Sequence, residues 1–150
     1  MLMLQSSNPI GDILNNTEWA FPLAECFHIV GFAVAIGSVV LVDLRLMGLA
    51  LNKQSAAYLL KQTWLWHLFS LLIVIFSGLA LYISDPRMYE RNDGFRFKIT
   101  ALIVAILYNF TIHNKVAGSG SSGVGAKLVG LVSILLWVSV VFGGIFIAFV

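Results

Sequence analysis

Histidine is the residue of this chain whose type and spacing most directly suggest chemistry. The sequence has three, His28, His67 and His113, and each falls in a different long apolar segment. An ionisable side chain in such a segment is costly to place in lipid and usually faces other helices. A neutral imidazole can bind iron or exchange a proton near neutral pH, and it can also simply hydrogen-bond a neighbouring helix. These residues therefore predict a cofactor site or a buried polar network.

Charged residues accompany the histidines in the apolar segments. Glu25 precedes His28 by three residues and shares a helix face with it. We expect Glu25 to hold the ring proton of His28 or to face the other helices. Asp43 is expected to accept the Nδ1 proton of His67 or His113, or to pair with Lys61 or Lys115. The predicted polar network is completed by Arg45 and Lys98, whose long side chains are expected to reach the lipid headgroups.

The composition indicates that helices in a membrane must position these residues. Hydrophobic residues make up 59% of the 150 and charged residues 11%, whereas about a quarter of an average soluble protein is charged. Since about 20 helical residues cross the hydrocarbon layer, the sequence predicts an all-α integral membrane four-helix bundle in one domain. The predicted spans are 19–46, 63–83, 95–114 and 128–150, after an interfacial tail at 1–17.

Charge and cysteine content narrow the class of protein further. A formal net charge of +2 does not indicate a nucleic-acid partner, and the single cysteine excludes an internal disulfide. Five of the nine lysine and arginine residues lie toward one side of the predicted bundle and four toward the other. Because the more basic side usually faces the cytoplasm, both termini are predicted outside it and the Gly/Ser linker at 116–126 inside.

Depth along the predicted helices separates the histidines. At 1.5 Å per residue, His67 lies roughly 9 Å and His113 roughly 12 Å from the middle of their spans, toward the same predicted cytoplasmic side. His28 lies roughly 9 Å from the middle of its span toward the opposite side. His67 and His113 are therefore the predicted axial ligands of a haem b iron, with His28 as the alternative metal ligand.

Small and polar residues at a matching depth are predicted to complete the cofactor site. Gly130 and Ser133 lie three residues apart on one face of the fourth span, where they would leave room for a porphyrin. Close packing of membrane helices explains the same two residues equally well. Asn109 lies one turn before His113 and is expected to orient its imidazole.

A resemblance to a known family is carried by four segments: FPLAECFHIVGFAVAIGSVVLVDLRLMG, FSGLALYISDP, FRFKITALIVAILYNFTIH and LVSILLWVSVVFGGIFIAF. They resemble a family of uncharacterised bacterial four-helix inner-membrane proteins over nearly the whole chain. The resemblance implies a multi-pass protein of the bacterial inner membrane and brings no activity with it. Its pattern includes the positions His28, Asp43, Arg45, Lys98, Asn109 and His113, whereas His67 is peculiar to this sequence. The layout is also similar to four-helix membrane cytochromes b, but this chain lacks a fourth histidine.

Two functions are predicted from these observations. The first is a b-type cytochrome that binds haem b and passes electrons between a quinol or small reductant and a partner. The alternative is a non-redox structural or proton-relaying subunit of a larger membrane complex, in which the same polar residues fix packing or carry protons. The expected partners are the lipid bilayer, a quinone, and other membrane subunits or further copies of the chain.

Overall fold

The computed structural model describes residues 8–149, and within that range every regular element is a helix. Residues 1–7 of the predicted tail and residue 150 of the fourth predicted span lie outside the described residues. The elements are α1 (Pro9–Asn16), α2 (Ala20–Met47), α3 (Ala56–Ser84), α4 (Pro86–Arg91), α5 (Asp93–Tyr108), a π-helical turn (Asn109–His113), α6 (Asn114–Gly118) and α7 (Val124–Phe146).

Four helical segments between residues 8 and 149 are long and apolar enough to cross a membrane: α2, α3, the continuous segment Asp93–Gly118, and α7. They confirm the prediction of an all-α four-helix membrane fold. Helix α3 begins at Ala56 rather than at position 63, because the hydroxyl of Ser55 accepts a hydrogen bond from the amide of Tyr58 at 3.1 Å and caps the helix. The cap therefore places the start of α3 seven residues before the predicted span, which began after Lys61 and Gln62.

The chain before α2 contains a short helix that hydropathy alone did not reveal. Helix α1 starts where the side chain of Asn8 accepts from the amide of Gly11 at 3.3 Å, with proline at the first helical position. The side-chain amides of Asn8 and Asn15 donate to carbonyl oxygens at the end of α3, at 3.0 and 2.9 Å. Helix α1 is therefore held against the end of α3, with Ile10 and Ile13 exposed.

Helix α2 is the centre of the bundle. It packs along α3 and α7, and α5 packs along the other side of α7. Small residues allow these close approaches: a Cβ added at Gly31 of α2 would lie 3.0 Å from a methyl group of Val74 in α3. The main core cluster joins all four long helices through Ala35, Val39, Leu71, Ala101, Ala105, Trp137 and Val140. Large apolar side chains cover much of the outer surface, as expected for helices that face lipid.

Candidate functional site

Asp43 and His113 form a buried polar contact between α2 and the π-helical turn. Nε2 of His113 lies 2.7 Å from Oδ1 of Asp43, and the two residues are 1% and 0% exposed. Both lie in segments long enough to span a membrane. Of the partners predicted for Asp43, the structure has His113, and the contact is made by Nε2 and not by the predicted Nδ1.

The π-helical turn determines what surrounds the other ring nitrogen. Nδ1 of His113 lies 3.5 Å from the amide nitrogen of Asn109 and 3.3 Å from the amide oxygen of Asn114. The nitrogen can only donate and the oxygen can only accept. Nδ1 therefore has a suitable partner whether or not it carries a proton. Single π-helical turns within α-helices are rare and occur frequently at functional sites.

Gly130 and Ser133 of α7 lie against Asp43. A Cβ added at Gly130 would lie 3.0 Å from the backbone carbonyl oxygen of Asp43, so the glycine allows α7 to approach α2. The hydroxyl of Ser133 is close enough to interact with the Asp43 carboxyl group. Neither Ser133 Oγ nor Asp43 Oδ2 has a hydrogen bond of normal geometry to the described residues. These two residues thus pack on Asp43 and leave no porphyrin-sized space.

His67 lies nearby on α3 and is 4% exposed. Its Nδ1 lies 3.1 Å from the carbonyl oxygen of Ala35, and because a carbonyl only accepts, Nδ1 carries the ring proton. Nε2 has no hydrogen-bond partner among the described residues. The ring meets the side chain of Trp137 edge to face, with centroids 5.8 Å apart. His67 and His113 both line a cavity of about 10 Å³ between α2, α3 and the π-helical turn.

The geometry around these histidines does not fit a porphyrin. The cavity of about 10 Å³ is far smaller than the roughly 300–1,000 Å³ of a typical ligand pocket. An axial ligand needs an unengaged ring nitrogen, and both ring nitrogens of His113 face polar side chains. Of the three histidines, His67 alone has a ring nitrogen without a hydrogen-bond partner among residues 8–149. Between residues 8 and 149 no three His, Cys, Asp or Glu side chains group to hold a metal ion. The predicted haem b stays a prediction for an absorption spectrum to test.

A second polar cluster, the His28 cluster, consists of His28, Ser77 and Lys98. Nζ of Lys98 lies 3.0 Å from Nε2 of His28, and Nδ1 of His28 lies 3.0 Å from the hydroxyl of Ser77. That hydroxyl directs its own proton to a backbone carbonyl at 2.6 Å. Ser77 must therefore accept from Nδ1, which leaves Nε2 of the neutral ring to accept from Lys98. Each ring nitrogen of His28 has a partner.

Lys98 points into the bundle, and the expectation that it extends toward the headgroups is wrong. Two glycines of α7 provide the space: a Cβ at Gly143 would lie 3.0 Å from the Lys98 Cα, and one at Gly144 would lie 3.4 Å from Nζ. The ammonium group also lies 4.9 Å from the centre of the Phe32 ring, within the range of a cation–π contact. Lys98 therefore occupies the space beside these two glycines.

The prediction for Glu25 needs correction. Glu25 is exposed and does not hold the proton of His28, whose ring nitrogens bind Ser77 and Lys98. Arg45 donates its Nε to the backbone carbonyl of Gln54 in the loop after α2, and the headgroup contact expected of its side chain stays a prediction. The polar network predicted from four charged residues is thus two separate clusters in which only Asp43 and Lys98 bind histidine.

The two clusters lie near opposite ends of the bundle. His28 and Asp43 are 15 residues apart on α2, which corresponds to roughly 22 Å along a helix. This separation agrees with the depths predicted for the histidines. Ser77 and Asn114 were not predicted as site residues, although Asn114 directly follows His113 and Ser77 lies in the segment FSGLALYISDP.

A family model matches most of the chain. The model of a family of unknown function, DUF6644, matches residues 14–150. The chain therefore belongs to that family. No curated protein and no solved structure matches it.

Proposed function

We propose that this member of the DUF6644 family relays protons within the membrane, with the Asp43–His113 pair as the group that takes up and releases the proton. The observation that carries the proposal is the 2.7 Å contact between Nε2 and Oδ1, with both side chains almost completely buried. Ionisable residues at membrane depth are costly, and proton relays are among their established uses.

The short contact supports proton transfer because the hydrogen bond survives in either form of the pair. The proton can lie on His113, as imidazolium beside carboxylate, or on Asp43, as carboxylic acid beside neutral imidazole. Charge-assisted contacts of this kind are strong and well oriented. A proton can therefore move between the two atoms without any movement of α2 or the π-helical turn.

The surroundings of Nδ1 support exchange at the other side of the ring. When Nδ1 is unprotonated, the amide group of Asn109 can donate to it, and when it is protonated, the amide oxygen of Asn114 can accept from it. Asn114 is only half-buried, so it lies on the side of His113 from which a proton can arrive. In this proposal the proton enters at Nδ1 and leaves at Nε2.

A purely structural role is the competing explanation, because a buried polar contact can also fix how helices pack. Among residues 8–149, His67 on α3 and Tyr108 on α5 are titratable groups that interact with the pair. From α7 the pair meets Ser133, which carries no charge. A structural pair would keep its proton throughout, and a relay would exchange it.

Infrared difference spectroscopy of the purified protein in lipid bilayers tests the proposal. Spectra are compared between about pH 5 and pH 8, the range in which imidazole ordinarily titrates. We expect reversible imidazole and carboxyl bands that disappear in Asp43→Asn. The matched control is Asp93→Asn, because Asp93 is an exposed carboxylate 3.6 Å from Arg96, and this variant should keep the bands. Identical difference spectra for the wild type and Asp43→Asn would show that the pair does not exchange its proton.

The proposed orientation follows the positive-inside rule. It puts both termini outside the cytoplasm of a bacterial inner membrane and the Asp43–His113 pair in the cytoplasmic half. The pair would then exchange protons with the cytoplasmic side, and a partner subunit in a larger complex would receive them.

A further inference from the structure

We infer that the cavity between α2, α3 and the π-helical turn binds one buried water molecule, held by Nε2 of His67. Water binding rests on the geometry of the cavity. The place of this water in a relay rests on the proposed function, which it deepens by naming the next group beyond the Asp43–His113 pair.

The neutral ring of His67 has one nitrogen that can accept a hydrogen bond from a water. Because Nδ1 gives its proton to the carbonyl of Ala35 at 3.1 Å, Nε2 of the neutral ring presents a lone pair. His67 is 4% exposed and lines the cavity, and Nε2 has no hydrogen-bond partner in residues 8–149. A buried polar atom of this kind is normally satisfied by the protein or by an ordered water. A molecule that donates a hydrogen bond is therefore required at this wall.

Two further polar residues, Ser38 and Thr63, line the cavity. Their hydroxyls donate their single protons to backbone carbonyls of their own helices, at 2.7 and 2.9 Å. Each retains a lone pair. A water can thus donate one proton to His67 and the other to a hydroxyl, and the amide nitrogen of Asn109 can donate to the water. Three partners are the usual number for a buried water.

The volume of the cavity also fits one water molecule. The cavity measures about 10 Å³, and one water needs roughly 10–15 Å³ of such space. An organic molecule needs far more. The site therefore selects a single water by volume as well as by hydrogen bonding.

This water would extend the hydrogen-bonded path from the π-helical turn to α3. His113 and His67 line the same cavity, and Asn109 contacts His113 at 3.5 Å. A water between Asn109 and His67 makes these residues one connected group. His67 is in this way a positioning residue for the relay, since it holds the water without touching Asp43.

Nuclear magnetic resonance of the lipid-embedded protein with labelled histidine tests the site. We expect a cross peak between water and the ring protons of His67, and a nitrogen signal for Nε2 typical of an unprotonated nitrogen that accepts a hydrogen bond. Ser38→Val should abolish the cross peak, because it removes a hydroxyl partner and fills space in the cavity.

The matched control is Ser139→Val. Ser139 is half-buried on a membrane helix and also donates to a backbone carbonyl, at 2.6 Å, but it does not line the cavity. This variant should keep the cross peak, and circular dichroism should show both variants equally helical. Absence of the cross peak in the folded wild type, its persistence in Ser38→Val, or equal loss in both variants would each overturn the water site. If the Asp43–His113 pair exchanges its proton but no water cross peak is seen, the water site is refuted and the proposed relay is not.

Discussion

Replacing Asp43 with alanine would remove one partner of a buried contact. The change leaves Nε2 of His113 without its 2.7 Å partner at a residue that is 1% exposed. Breaking a buried pair in this way costs about 3–5 kcal/mol. We therefore expect Asp43→Ala to lower the free energy of unfolding by about 3 kcal/mol or more.

An exposed ion pair of the same protein gives the comparison. Asp93 lies 3.6 Å from Arg96, with side chains 80% and 66% exposed, and such pairs contribute about 0–1 kcal/mol. Asp93→Ala should therefore change stability little. Unfolding with sodium dodecyl sulfate in mixed micelles, followed by circular dichroism, measures both variants under the same conditions.

A double-mutant cycle isolates the contact itself. Since Asp43 and His113 touch, the loss in the double alanine variant should be smaller than the sum of the single losses by roughly 1–3 kcal/mol. Additive losses, or an Asp43→Ala variant no less stable than Asp93→Ala, would refute the reasoning that the pair is coupled and buried.

Three further predictions concern the His28 cluster, the topology and the cofactor. Gly78→Ala places a Cβ 3.0 Å from Cε1 of His28 and should lower stability in the same assay. Its control is Gly37→Ala, whose added Cβ meets no atom within 4 Å and which should leave stability unchanged or raise it by up to about 1 kcal/mol. Equal effects of the two variants would contradict the packing argument. Reporter fusions should be active in the cytoplasm at Ser121 and outside it at Arg91, and the reverse pattern would overturn the predicted orientation. The purified protein should show no low-spin haem spectrum, and sharp bands on reduction would instead support the cytochrome prediction.

Much of the fold could be predicted from the sequence because the lipid bilayer requires each spanning segment by itself to be an apolar helix. A helix that spans the membrane must be apolar along its length, so hydropathy alone located all four spans. The same local rule places His28 and His113 near opposite ends of the bundle, because a fixed rise per residue converts position into depth. The α3 start and helix α1 were less predictable, since caps and not hydropathy determine them.

The pairing of the polar side chains depended on tertiary structure. Depth does not determine how each helix is rotated about its axis, and rotation decides whether His113 faces His67 or Asp43. In this protein the π-helical turn and the close approach at Gly130 turn His113 toward Asp43. Lys98 likewise points inward because glycines 45 or more residues later in the chain leave space for it. Such contacts join residues far apart in sequence, and only the packed bundle brings them together.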